Sequence, residues 1–177
     1  MKMNVANQLT ILRILMIPFF IFFLLTGQSI LALIFFATAS FTDFLDGYLA
    51  RKYHLVTNFG KFMDPLADKL LVTSALIGFV ELGELKAWVV IIILSREFIV
   101  SIFRAIAAAD GIVIAASWWG KAKTISQMIM IIVLLMGNYP FSLLNFPMDQ
   151  ILIYLATVLT VISGYDYIVK NKQVLKE

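Results

Sequence analysis

Residues 9 to 25 read Leu9-Thr10-Ile11-Leu12-Arg13-Ile14-Leu15-Met16-Ile17-Pro18-Phe19-Phe20-Ile21-Phe22-Phe23-Leu24-Leu25. One charge interrupts an otherwise apolar run that, at a helical rise of about 1.5 Å per residue, covers most of a ~30 Å hydrocarbon layer. The run has no period-two alternation, so it does not read as a strand. Lipid supplies no water to an unpaired backbone, and helix remains. The stretch is too long for the core of a signal peptide, contains Arg13, and is followed by no small-x-small site at the usual distance. Ala37-Thr38-Ala39 falls inside the next apolar run. A retained membrane helix is the expectation.

Working outward, hydropathy resolves six candidate spans, near 8–25, 29–50, 65–82, 87–108, 119–137 and 150–168. The expected fold is therefore all-α, a polytopic membrane bundle of six transmembrane helices. No repeat, low-complexity tract or soluble linker divides residues 1–177, so a single membrane domain is expected. Composition agrees: hydrophobic residues make up 62% and charged residues 14% of the chain, against roughly 45–50% and 25% in soluble domains. The absence of cysteine removes disulfides, thiolate nucleophiles and iron–sulfur ligation, and a single histidine argues against a His-based metal site. Nothing in the sequence points to nucleic acid.

The net charge of +3 matters less than its placement. Lys2, Arg51, Lys52, Lys61, Lys69, Lys121, Lys123, Lys170, Lys172 and Lys176 flank one side of the spans and Lys86 alone the other, while Arg13, Arg96 and Arg104 lie within spans. Short cytoplasmic loops carry the excess of Lys and Arg. Both termini are thus expected in the cytoplasm.

Four of the 11 acids crowd the connection between the second and third spans: Asp43, Asp46, Asp64 and Asp68. On helices, Asp43 and Asp46 are neighbours at i, i+3 and Asp64 and Asp68 at i, i+4, so two helix ends can each present a carboxylate pair. An aspartate at mid-span costs about 2.5–3.5 kcal/mol on insertion scales, and four together call for a compensating cation. Oxygen-only ligands favour Mg²⁺, Mn²⁺ or Ca²⁺. Four negative charges suit two divalent ions, an arrangement fitted to in-line displacement at phosphorus. Gly47, Ala50 and Gly60 are small enough to admit a flat group near backbone, and Arg51 adds a cation at the rim. A blander account makes Asp64 the cap of the third helix, ahead of Pro65, with the other acids paired to Arg51, Lys61 and Lys69.

The pattern Asp43-x2-Asp46-Gly47-x2-Ala50-Arg51-x8-Gly60-x3-Asp64-x3-Asp68 resembles the signature of the CDP-alcohol phosphotransferase family, with every fixed position and spacing present. The resemblance implies transfer of a phosphatidyl-type group from a CDP-linked lipid to an alcohol, with release of CMP. It further implies two divalent cations, Mg²⁺ or Mn²⁺, on the four aspartates, Asp68 as the base that deprotonates the acceptor, and a homodimer in a bacterial plasma membrane. Carried onto this chain, contacts to the CDP-lipid fall to Asn7, Thr10, Asp43, Gly47, Ala50, Arg51, Gly60 and Lys61.

Asn7, Thr10 and Arg13 recur at i, i+3 and i+6. Asn7 reads either as an N-cap or as part of a segment that closes over the nucleotide, and Arg13 as a snorkelling side chain. In the fourth span, Glu97 and Arg104 are seven apart and can neutralise each other, while Arg96 and Arg104 can line one cavity. Intramembrane cations mark functional sites, and arginine matches phosphate geometry. Trp118 and Trp119 read as interfacial anchors; Lys121 and Lys123, two apart, point to different helix faces. The stretch from Ser95 to Gln127 resembles the branch of the family whose acceptor is glycerol 3-phosphate, which implies Arg96, Arg104, Lys121 and Lys123 as binders of the acceptor phosphate and CDP-diacylglycerol as the donor. Rival readings keep the chemistry with inositol, serine or phosphatidylglycerol as acceptor, or make the acids the relay of a small cation or proton-coupled transporter.

Overall fold

Two apolar runs joined by only a few residues must return antiparallel, and the chain does this first at Gly27. In the computed structural model, which describes residues 5–52, 58–109, 111–112, 114–115 and 117–172, α1 (Val5–Leu25) ends there with φ +75°. The Gly27 amide donates to the Leu24 carbonyl at 3.2 Å and that of Gln28 to Phe23 at 2.9 Å, a left-handed helix end that glycine adopts without a Cβ penalty. α2 (Ser29–Lys52) and α3 (Asn58–Glu81) complete a first compact unit, residues 1–83. The side chains at 5–6, 44, 46–52, 58–62 and 65 fall outside the described set.

Within this unit α1 packs along both α2 and α3, which touch each other much less. Phenylalanines make the first seam: the rings of Phe20 and Phe36 lie 5.6 Å apart, and those of Phe23 and Phe35 5.2 Å. Gly78 makes the second, because a Cβ there would stand 2.5 Å from Leu24 Cδ2. The second unit, residues 84–177, holds α4 (Ala87–Ala109), α5 (Trp118–Leu135), a 3-10 turn (Phe141–Leu144) and α6 (Met148–Asn171), with α6 against both α4 and α5. Ser117 caps α5, its Oγ accepting from the Gly120 amide at 3.1 Å. Between α3 and α4, Glu84 is held above its ordinary carboxylate value, first by partial desolvation and then by the charge of Asp149.

The helices are inside out relative to a soluble protein. On α6, Thr160 and Ser163 are wholly buried while Val158, Val161 and Tyr165 are exposed; on α1, Thr10 and Arg13 are buried while Leu15, Phe19 and Phe22 are exposed. The Thr157 and Thr160 hydroxyls each donate at 2.7 Å to the carbonyl four residues back, which satisfies them without water. An apolar exterior over a polar interior is what a lipid solvent selects. Two helices, α1 from Asn7 and α6, are long and apolar enough in themselves to cross a bilayer. α3 and α4 are interrupted by charges, Asp64, Asp68 and Lys69 in the first and Arg96, Glu97 and Arg104 in the second. No strand occurs among the described residues.

Candidate active site

The first cluster is organised by one face of α1. Asn7, Thr10 and Arg13, spaced to fall together, are all buried. Thr10 Oγ1 donates to Asp64 Oδ1 on α3 at 2.6 Å, and Arg13 Nη1 donates to Asp43 Oδ1 on α2 at 2.5 Å. The pairing is asymmetric: the Arg13 side chain is 0% exposed and that of Asp43 42%, so the cation depends on the contact more than the carboxylate does. α1 therefore sets the position of the leading aspartate on each neighbouring helix.

One expectation and two alternative readings change. Arg13 does not snorkel; it is enclosed in the bundle because a carboxylate awaits it there. Asn7 is not a cap, since α1 starts at Val5 and encloses it. Asp64 is not a cap either: α3 begins at Asn58, which puts both Asp64 and Asp68 within the helix one turn apart. Asp64 is half-buried and Asp68 exposed. The backbone places Asp46, Gly47, Ala50 and Arg51 in α2 and Gly60 and Lys61 in α3; the surroundings of these positions, and His54, lie outside the described residues.

Among the described residues no three acids converge on a point that could hold a metal ion, and Asp46 is not in that set. The chemistry of the donors is nonetheless uniform. Each of Asp43 and Asp64 meets α1 through one carboxylate oxygen, and the chain offers no thiolate. Such a donor set fits a hard, oxygen-preferring divalent cation.

The second cluster belongs to α4, α5 and α6. Glu97 Oε1 accepts from Arg96 Nη1 at 3.2 Å and also from Lys123 Nζ. Arg96 Nη2 donates to Ser163 Oγ at 2.5 Å. Two glycines make room for the guanidinium: a Cβ on Gly120 would stand 3.4 Å from Arg96 Nη2, and one on Gly164 3.2 Å from Arg96 Cγ. Glu97, expected to face Arg104, is met by Arg96 and Lys123. Arg104 is exposed and lies over the Tyr167 ring, 5.8 Å from its centroid. The two lysines separate as their spacing requires, Lys123 inward and Lys121 to the exterior. Ser163, Gly164 and Tyr167 were not singled out from sequence, although Thr157, Thr160, Ser163 and Tyr167 recur at helical spacing along one face of α6, a polar stripe in an apolar span.

An all-helical chain with a lipid-facing exterior and two inward polar clusters, one acidic and one basic, is a membrane-embedded protein equipped for phosphate chemistry. Residues 3–162 match the model of the CDP-alcohol phosphatidyltransferase family, and the chain belongs to that family. It is 45% identical to a Bacillus subtilis CDP-diacylglycerol–glycerol-3-phosphate 3-phosphatidyltransferase, with 98% of this chain and 97% of the relative covered. A Haemophilus influenzae protein of the same name is 43% identical over 95% of this chain and 93% of its own. A probable phosphatidylglycerophosphate synthase of Mycobacterium tuberculosis is 42% identical over 94% of this chain and 81% of its own.

Proposed function

We propose that the protein transfers the phosphatidyl group of CDP-diacylglycerol to the 1-hydroxyl of sn-glycerol 3-phosphate, giving phosphatidylglycerophosphate and CMP. The near end-to-end likeness to relatives named for this reaction carries the reading. Asp43, Asp46, Asp64 and Asp68 would hold two divalent cations, Mg²⁺ or Mn²⁺, which when bound neutralise the diphosphate and the departing CMP. Asp68 takes the proton of the acceptor hydroxyl, the freed oxygen forms a bond to the lipid-linked phosphorus, and the bond from that phosphorus to CMP breaks. Asn7, Thr10, Gly47, Ala50, Arg51, Gly60 and Lys61 accommodate the CDP-lipid. Arg96, Arg104, Lys121 and Lys123 supply positive charge for the acceptor phosphate. The whole chain acts as one membrane domain of six transmembrane helices, as a homodimer in a bacterial plasma membrane.

Detergent-solubilised protein given CDP-diacylglycerol, a divalent cation and a panel of radiolabelled acceptors tests this directly. Glycerol 3-phosphate should release CMP efficiently, and glycerol, inositol and serine poorly. A better unphosphorylated acceptor would move the reading to a rival acceptor, and absence of CMP release with every acceptor would remove the transferase. Arg104→Ala and Lys121→Ala should each raise the Michaelis constant for glycerol 3-phosphate by roughly tenfold, from about 1–3 kcal/mol per lost contact, with little change in CDP-diacylglycerol binding. Unchanged constants in both would dissociate these cations from the acceptor.

The charge distribution supports termini and active site on the cytoplasmic side. Because the chain has no cysteine, single introduced cysteines report orientation cleanly. Gln28→Cys, Glu84→Cys and Asn145→Cys should react with an impermeant thiol reagent added outside the cell, and His54→Cys and Gln173→Cys should not. The reverse pattern would overturn the orientation.

A further inference from the structure

One face of α6 carries a seat for each of two arginines of α4. Ser163 accepts from the Arg96 guanidinium, and one helical turn further on Arg104 Cζ lies 5.8 Å from the centroid of the Tyr167 ring. Arg104 is exposed, whereas Tyr167 is only 2% exposed. Core packing holds the ring: Phe103, the residue before Arg104, meets it edge-on at 6.1 Å and 81°, and Val100 and Ile114 belong to the same cluster. The phenol hydroxyl takes no part in that grip, since it is buried without a hydrogen-bond partner among the described residues. What Tyr167 offers to Arg104 is its ring.

We infer that Tyr167 is a positioning residue for the acceptor site, its fixed ring holding the Arg104 guanidinium ready for the acceptor phosphate. The inference rests on the proposed role of Arg104 in binding that phosphate. An arginine side chain is long and rich in rotamers, and ordering it when a ligand arrives costs entropy. A ring that holds the cation beforehand removes part of that cost. The pull of the ring comes from its quadrupole and brings no net charge, so the guanidinium keeps its full positive charge for an incoming anion. A carboxylate in the same place would neutralise the cation and would have to be displaced. Contact with an aromatic face also leaves guanidinium N–H donors available to phosphate oxygens, the bidentate recognition at which arginine exceeds lysine. The effect of Tyr167 therefore falls on acceptor affinity and not on proton transfer at Asp68.

Acceptor kinetics of the detergent-solubilised protein, with CDP-diacylglycerol and a divalent cation saturating, test this. Tyr167→Leu should raise the Michaelis constant for glycerol 3-phosphate about twofold to fivefold, the range of an exposed cation–ring contact, with turnover at saturating acceptor near wild type. Tyr167→Phe keeps the ring and should keep the wild-type constant. Added to Arg104→Ala, Tyr167→Leu should raise the constant no further, because the two residues act as one unit. A role confined to structure would lower turnover and would add to the effect of Arg104→Ala; either result overturns the inference, as does a constant in Tyr167→Phe raised as far as in Tyr167→Leu. Should Tyr167→Leu not accumulate, a ring-fluorinated phenylalanine introduced at position 167 preserves the size of the ring while weakening its negative face. It should raise the constant relative to Tyr167→Phe, and equal constants would overturn the inference. A wild-type constant in Arg104→Ala would fail the reading of Arg104 as a phosphate binder, and CMP release only to an unphosphorylated acceptor would fail the proposed function. Either takes the inference with it, and both are readable without any change at Tyr167.

Discussion

Asp68→Asn should lower turnover by about 10²–10⁴-fold, the range over which a positioned general base contributes. An amide of the same shape cannot take the acceptor proton. Because Asp68 is exposed, one turn beyond Asp64, the substitution should leave folding intact, and CDP-diacylglycerol should still shift the unfolding temperature. Asp43→Asn, Asp46→Asn and Asp64→Asn should differ in kind: each should raise the divalent-ion concentration needed for half-maximal activity, since each removes a charged oxygen donor. CMP release measured across a metal titration separates the two behaviours. Turnover near wild type in Asp68→Asn would move the base elsewhere.

The second large effect is on stability and appears without metal or substrate. Asp43→Ala withdraws the carboxylate from Arg13, whose side chain is 0% exposed. Removing one partner of a buried ion pair costs about 3–5 kcal/mol; the partial exposure of Asp43 places the expected loss near the lower end. Asp64→Ala, which breaks a contact from the neutral hydroxyl of Thr10, should cost less, about 1–3 kcal/mol. Unfolding of the detergent-solubilised protein in a chelator measures both. The double variant Arg13→Met with Asp43→Leu should recover much of the loss, because it leaves no charge to bury. Wild-type stability in Asp43→Ala would mean that the Arg13 contact does not hold α1 to α2.

Helix positions were legible because a long, mostly apolar run leaves a strong local signal even where single charges interrupt it. The placement of the aspartates on α2 and α3 was legible for a similar reason, their fixed short spacing. Partnerships were not. Arg13 meets Asp43 across 30 residues, and Lys123 meets Glu97 across 26, distances over which hydropathy carries no information about which helix faces which. Helical spacing offered Glu97 only Arg104 on its own helix; the contact from Lys123 on α5 could not be read from it. Both cap readings, for Asn7 and Asp64, were alternatives that took a polar residue beside an apolar run as a boundary. The helices extend past them because Asn7 packs inward and Asp64 is bonded from α1. The polar stripe on α6 was present in the sequence, but serine, threonine and tyrosine lower hydropathy too little to stand out against their neighbours.

The Arg13–Asp43 contact also bears on how the chain is made. Synthesis delivers α1 to the bilayer ahead of α2, so the guanidinium enters with its later counter-charge still inside the ribosome or translocon. Its insertion penalty, about 2.5–3.5 kcal/mol at mid-helix, must be carried at that moment by the phenylalanines and leucines around it. Once α2 follows, the same arginine rewards only the hairpin whose register brings Asp43 alongside. The first helix thereby proofreads the insertion of the second, and the cost of its early charge becomes the force that selects the correct pairing.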